Sequence, residues 1–319
     1  MIERKASQGI YYYNNEEIEK VRYNPYRKHN RIVAEEHYKE GIGTEFPLHI
    51  IAETSSFCQL DCIMCNRKVM TRPQQNMDYG VFKKIVDEAV MHRVYSISLY
   101  SLGEPMLNPN IKEMAVYAKA SGVPYVDLST NGQRNFSSLL STQINEIIVS
   151  IDGDKETYNE IRGADYQTVI DNLTSFLVAR DMLKQKHPLV RLQIIDFIPP
   201  RYDTDKIISE WLNCGLPVDV IYKKTMENMS QSIDLISEDK IKELNKDRKP
   251  CKQLFYTLTV QADGQIAYCC HSPKGLANIG HINKMTLKEA WSKVETIRQE
   301  QKQRKYNDFC ANCTDWSKW

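Results

Sequence analysis

Cys58, Cys62 and Cys65 stand in the spacing C-x3-C-x2-C inside the run PLHIIAETSSFCQLDCIMCNRK. Thiolates are soft ligands that suit iron–sulfur clusters. Three of them on one short loop can hold three irons of a four-iron cluster and leave the fourth iron open. A zinc-binding loop is the alternative, because zinc also takes closely spaced cysteines. A structural zinc site has four ligands, however, and this loop offers three thiols. A second group lies near the C-terminus: Cys251, Cys269, Cys310 and Cys313, with Cys-Ala-Asn-Cys at its end. Four thiolates saturate either a four-iron cluster or a structural zinc. Cys270 follows Cys269 directly and has no partner in that count.

The elements that must position these thiols can be read from the apolar pattern. From residue 48 to about 225, short β-branched or apolar runs alternate with amphipathic helical segments, which reads as βα units and a parallel sheet. Strands are expected at His49–Glu53, Tyr95–Tyr100, Tyr125–Ser129, Glu146–Ile151, Val190–Phe197 and Val218–Tyr222. Between them Val81, Phe82, Ile85, Val86 and Ala89 share one helical face, as do Ile111, Met114, Ala115 and Ala118, and then Val169, Leu173, Phe176 and Leu177. Six βα units make a partial barrel of the α/β class, a (β/α)6 fragment of the TIM type. Binding groups then gather at the C-terminal strand ends, where the first cysteine loop sits. Farther on, the stretch from Leu258 to Cys269 alternates about Asp263-Gly264, a hairpin signal. Thr286 and Glu289 form a capping box ahead of a helix with Leu287, Ala290, Trp291, Val294 and Ile297 on one face.

Composition narrows the class. Among 319 residues, 42 are basic and 41 acidic, so no global charge pulls the chain toward nucleic acid or anionic membrane. No stretch reaches the length of a membrane span, and the N-terminal MIERKASQGIYYYNNEE has no apolar signal segment. A cytoplasmic protein with reduced thiols is expected, so its nine cysteines are not read as disulfides. Cys214, alone in WLNCGLP, is expected to be a small buried residue.

At the first cysteine motif the sequence resembles the radical S-adenosylmethionine (SAM) enzymes. The resemblance implies a [4Fe–4S] cluster on Cys58, Cys62 and Cys65 whose open iron is chelated by SAM, and reductive cleavage of SAM to a 5′-deoxyadenosyl radical. Further on, Ser101-Leu102-Gly103-Glu104-Pro105 is similar to the family's Gly-Gly-Glu-Pro segment, with Leu102 in place of the first glycine. It implies Gly103 and Glu104 at the SAM amino group; by itself, Gly-Glu-Pro is a turn. Ser129-Thr130-Asn131-Gly132 resembles the family's strand-end Thr-Asn-Gly, placing Ser129 and Asn131 at the SAM ribose, against the alternative of a plain βα turn. In IIVSIDGDKETYNEIRG, Ser150 and Arg162 would hold the SAM carboxylate, and Asp152 shapes a turn with Gly153. The segment C-x12-G-x4-C from Cys251 to Cys269 resembles the start of the family's SPASM extension, here in its shortened twitch form with one auxiliary [4Fe–4S] cluster on Cys251, Cys269, Cys310 and Cys313. Three segments are expected: an N-terminal extension (1–47), the partial barrel (48–235), and a linker helix with the auxiliary module (236–319).

The residue that bears on reaction type is Cys270. Successive side chains of a strand point to opposite faces, so Cys269 and Cys270 cannot both aim at one cluster from an extended chain. A thiol facing the substrate cavity can return a hydrogen atom to a carbon radical and invert the centre. Radical SAM epimerases look similar here, and epimerisation with Cys270 as donor is the first expectation. A spare thiol in a packed hairpin is the plain alternative. Dehydrogenation of a carbinol, with the auxiliary cluster as electron acceptor, is the rival reaction. It needs a base, for which His271 and Arg162 are within sequence reach. The expected substrate is a sugar, cyclitol or nucleotide-linked sugar. A ribosomal peptide comes second, because the first 47 residues do not suggest the winged peptide-recognition domain common in enzymes of that kind. The segment Tyr23 to Arg31 is either an arm that closes over a substrate phosphate or a solvated surface. An external reductant such as flavodoxin or ferredoxin is implied. A non-enzymatic metal scaffold would instead require four ligands at each site.

Overall fold

A computed structural model describes residues 10–12, 25–197, 201–226 and 236–317, and the side chains of these from residue 32 onward except Thr225 and Ser317. The Tyr23–Arg31 arm therefore lies outside the described side chains. The six expected parallel strands are all present: β2 (His49–Ala52), β3 (Ser96–Ser98), β4 (Tyr125–Thr130), β5 (Glu146–Ser150), β6 (Leu189–Asp196) and β7 (Val220–Thr225). They follow β1 (Ile10–Tyr12), which pairs antiparallel with β7 at one edge. The helices between them are amphipathic for the reason the sequence suggests. In α2 (Tyr79–Met91) Phe82, Ile85, Val86 and Ala89 are buried; in α3 (Ile111–Ala120) so are Ile111, Met114, Ala115 and Ala118. Short α4 (Tyr158–Arg162) and long α5 (Tyr166–Met182) follow β5, with Val169, Leu173, Phe176 and Leu177 buried in α5. These faces cover the outside of the sheet, and the core lies between sheet and helices.

The C-terminal part joins the same sheet. Strand β8 (Thr257–Val260) lies parallel to β2, with Ile50 opposite Leu258 and Ala52 opposite Val260, and β9 (Gln265–Ala267) and β10 (Asn278–His281) continue antiparallel. Among the described residues the order is β1-β7-β6-β5-β4-β3-β2-β8-β9-β10, an open sheet in which β7 through β2 and then β8 run parallel, compatible with a partial barrel. The hairpin turns at Gly264, whose φ of +83° lies in the left-handed region glycine favours. The expected capping box of Thr286 and Glu289 opens the helix Leu287–Lys302. N-terminal helix α1 (Pro25–Glu40) packs on this part: Tyr38 meets Phe255 edge-on and donates to the Pro250 carbonyl.

One expectation is overturned. Cys214 is exposed. It caps the C-terminus of the helix Thr204–Asn213, and its thiol turns back to the Trp211 carbonyl at 3.0 Å. An unpaired carbonyl in the last helical turn offers the thiol a partner that the interior would not.

Candidate active site and cysteine groups

The segment that leaves β2 is fixed on both sides before it reaches Cys58. Met77 donates its amide to the Thr54 carbonyl, and the Glu104 amide donates to the Phe57 carbonyl at 2.7 Å. This second contact brings two backbones so close that a methyl group on Gly103 would stand 2.1 Å from the Ser55 carbonyl oxygen. Only glycine fits there. The Glu104 carboxylate points away from the loop surface: it is buried and accepts from the amides of Met106 and Asn131 and from the Thr130 hydroxyl. Burial pushes this carboxyl up, and those donors pull it back. Glu104 thus braces the end of β3 against the end of β4, and its neighbourhood faces the cysteine loop through backbone groups.

Asn131 continues that brace. Its side-chain amide donates to Cys58 Sγ at 3.7 Å, and its oxygen accepts from Gln59. Ser129 sits half-buried one strand position from the end of β4, and Ser150 half-buried at the end of β5. On the far side of the loop, the Ile63 amide donates to the Ile161 carbonyl, and Cys62 Sγ donates to the Arg162 carbonyl at 3.6 Å. The loop is thereby docked on α4. Burial pushes the Cys62 thiol up to about 11 and also raises Cys58, so metal binding must displace their protons. His49, the imidazole closest to this loop in sequence, sits at the opposite end of β2 on the Ser98 hydroxyl.

Arg162 is buried, and Nη1 holds Asp152 at 2.6 Å. Burial opposes its charge, but Cys62 and Asp152 hold it protonated. Asp152 makes the expected turn, with φ of +49°, but it is also fully buried and accepts from the Ile195 amide at 2.8 Å. The sequence reading missed this ion pair. A second missed pair is Glu53 with Arg72. Glu53 is fully buried at the end of β2, and its carboxylate accepts from Arg72, from the Leu102 amide and from the Ala262 amide. It ties the cysteine loop, the Gly-Glu-Pro loop and the hairpin turn together. The only sequence signal was an acidic residue closing an apolar strand.

The second cysteine group also comes together. Cys251, Cys269, Cys310 and Cys313 line one recess, with Arg248 and His271 on its wall. Cys251 is pushed up by burial and by the neighbouring Cys313 and Asp315, and Cys310 by burial against the pull of Arg248. His271 faces Asp315 at 3.2 Å. Strand β9 ends at Ala267, so Cys269 and Cys270 both lie beyond it, and the strand alternation expected to send them to opposite faces does not apply. Cys270 is buried outside the recess. Its Sγ lies 3.7 Å from both amide atoms of Gln253, and its carbonyl accepts from Ser101 Oγ at 3.0 Å. The Cys269 and Cys270 sulfurs share a hydrogen bond that raises the former and lowers the latter.

The donor sets suit iron–sulfur clusters: three thiols on a loop whose outer neighbours are backbone and amide groups, and four thiols around one recess. Among the described residues no three His, Cys, Asp or Glu side chains converge tightly enough for a single metal ion. For a ligand carboxylate, Arg162 offers a buried Nε with no hydrogen-bond partner.

Comparison with known proteins agrees. Residues 52–179 match the radical SAM superfamily, and residues 251–314 match the SPASM iron–sulfur cluster-binding domain. The chain carries a radical SAM domain followed by a C-terminal SPASM iron–sulfur domain. A radical SAM domain implies a [4Fe–4S] cluster and SAM, and a SPASM domain implies further iron–sulfur. A curated relative from Pyrococcus furiosus, a tungsten-containing aldehyde ferredoxin oxidoreductase cofactor-modifying protein, is 32% identical over 85 residues, which is 26% of this chain and 24% of the relative's length. Among solved structures, BtrN in complex with AdoMet and 2-DOIA superposes with a TM-score of 0.57 at 17% identity, covering 85% of this chain and 94% of BtrN. Streptococcus suis SuiB bound to precursor peptide SuiA gives 0.63 at 14% identity, covering 82% and 68%. Native anSMEcpe with bound AdoMet gives 0.57 at 15% identity, covering 85% and 92%. At these identities the likeness is one of fold. No helix among the described residues is long and apolar enough to cross a membrane.

Proposed function

We propose that this radical SAM enzyme abstracts a hydrogen atom from a carbon of a polar substrate and epimerises that centre, with Cys270 as the hydrogen donor. Cys58, Cys62 and Cys65 would hold the SAM-binding cluster, and Cys251, Cys269, Cys310 and Cys313 the auxiliary one. Gly103, Glu104, Ser129, Asn131, Ser150 and Arg162 would shape the SAM site, Arg162 through its unpartnered Nε and Glu104 through the brace that fixes Asn131 beside Cys58. When bound, cluster and SAM supply one-electron cleavage of a sulfonium and abstraction of a substrate hydrogen.

The observation that carries the reaction type is the position of Cys270. It is the one sulfur of the C-terminal group outside the four-thiol recess, and Ser101 pins its backbone to the loop that leaves β3. Cys270 gives its S–H hydrogen to the substrate carbon from the face opposite to abstraction. The resulting thiyl returns to thiol with one electron and one proton from an external reductant, such as a flavodoxin or ferredoxin. Dehydrogenation finds less support: Arg162 is committed to Asp152, and His271 lines the auxiliary recess against Asp315.

A sugar, cyclitol or nucleotide-linked sugar is the first reading, in line with BtrN, which is bound to 2-DOIA and covered to 94%; anSMEcpe bound to a peptide is covered to 91%, so extent of overlap alone does not choose between the classes. A peptide substrate is the second reading, and the cytoplasm the expected location. Turnover in heavy water tests the proposal. Deuterium should appear at the inverted carbon and disappear in Cys270→Ala; a carbonyl product without solvent deuterium refutes it.

A further inference from the structure

Arg248 is 8% exposed, and its guanidinium reaches the wall of the four-cysteine recess. Nη1 donates to the carbonyls of Cys310 and Ala311 at 2.7 and 2.9 Å, and the group lies 4.0 Å from the centroid of the Tyr306 ring. Nε is buried with no hydrogen-bond partner. Among the described residues no carboxylate stands within ion-pair distance of it. The other basic group at the recess, His271, is matched by Asp315. A buried cation without a counter-charge is costly, and the group it faces is four thiols that become anionic on binding metal.

We propose that Arg248 is a positioning and charge-compensating residue of the auxiliary centre. It clamps the Cys310–Cys313 turn by two carbonyls and places a fixed positive charge beside the cluster, which eases its reduction. The reduction potential of an iron–sulfur centre follows net charge, hydrogen bonding and solvent exposure. A nearby cation favours the more negative, reduced state and moves the midpoint upward. This rests on the reading that Cys251, Cys269, Cys310 and Cys313 carry a four-iron cluster.

The test is a redox titration followed by electron paramagnetic resonance. It uses the full chain with Cys58, Cys62 and Cys65 changed to Ala, so that only the auxiliary signal remains, and is repeated in the intact holoenzyme. Arg248→Gln should make the centre at least tenfold harder to reduce, a drop of about 59 mV for a one-electron couple, and Arg248→Lys should shift it less. Gln301→Glu gives a second route should Arg248→Gln assemble poorly. Gln301 lines the same recess and accepts from the Cys251 amide at 2.8 Å, so glutamate keeps the acceptor and adds a negative charge; it should lower the midpoint as well. An assembled cluster whose midpoint is unmoved in Arg248→Gln, or in Gln301→Glu where the former does not assemble, overturns the assignment of Arg248. So does an Arg248→Lys midpoint as low as that of Arg248→Gln, because charge would then not be the cause. Zinc in place of iron in the unsubstituted auxiliary site overturns the cluster reading itself.

Discussion

Replacing Gly103 by alanine should cost the protein both SAM binding and stability. The added methyl would lie 2.1 Å from the Ser55 carbonyl oxygen, 2.7 Å from its carbon and 2.7 Å from Ser56 Cα, all backbone atoms that no rotamer change can move. The two segments must part by about 1 Å to reach tolerable contact. The bond from the Glu104 amide to the Phe57 carbonyl, now 2.7 Å, would then stretch to about 3.7 Å, beyond hydrogen-bonding range. A buried donor left unmade costs about 1–3 kcal/mol, and the forced displacement a further ~1–3 kcal/mol. At about 3 kcal/mol in total, the melting temperature should fall by roughly 6–12 °C. Because the same displacement moves the loop that leads into Cys58, SAM affinity measured by calorimetry on the reconstituted protein should fall at least tenfold. A Gly103→Ala protein that melts within about 1 °C of the parent and binds SAM equally well would refute the reasoning.

Changing Cys58, Cys62 and Cys65 to Ala should reduce iron from about eight to about four per chain and abolish reductive release of 5′-deoxyadenosine, checked by iron analysis and product chromatography. Arg162→Met should weaken SAM binding and leave Asp152 buried without its partner; breaking such a pair costs about 3–5 kcal/mol, read by denaturant titration. Glu53→Ala should be comparably destabilising, because Arg72 and two backbone amides lose one shared acceptor. Cys214→Ser, at an exposed helix cap, should stay within about 0.5 kcal/mol of the parent and leave iron content unchanged.

What the sequence made legible was whatever is written locally. Runs such as HIIA, EIIVS and LVRLQIID announce strands because both faces of a parallel sheet are covered. The faces of α2, α3 and α5, the Asp-Gly turn and the capping box at Thr286 are likewise short-range patterns. Two kinds of feature escaped. Buried ion pairs did, because an aspartate or arginine looks the same in sequence whether it is solvated or paired: Asp152 read as a turn residue and Glu53 as no more than the last residue of a strand. Long-range strand pairing also escaped, since β8 lies more than two hundred residues from β2 and nothing in Thr257–Val260 names its neighbour. Cys214 failed for a third reason, that a generally buried residue type found a local carbonyl at the surface.

The seam between β2 and β8 has a practical consequence for dissecting this protein. The C-terminal segment looks like a detachable accessory in sequence, yet it supplies one of the two walls that keep β2 an interior strand. Truncating the chain before Thr257 would strip Ile50, Ile51 and Ala52 of their bonded neighbour and expose a raw edge prone to self-association. Loss of activity in such a truncate would report a broken scaffold and say nothing of electron transfer, so the auxiliary centre has to be interrogated one side chain at a time.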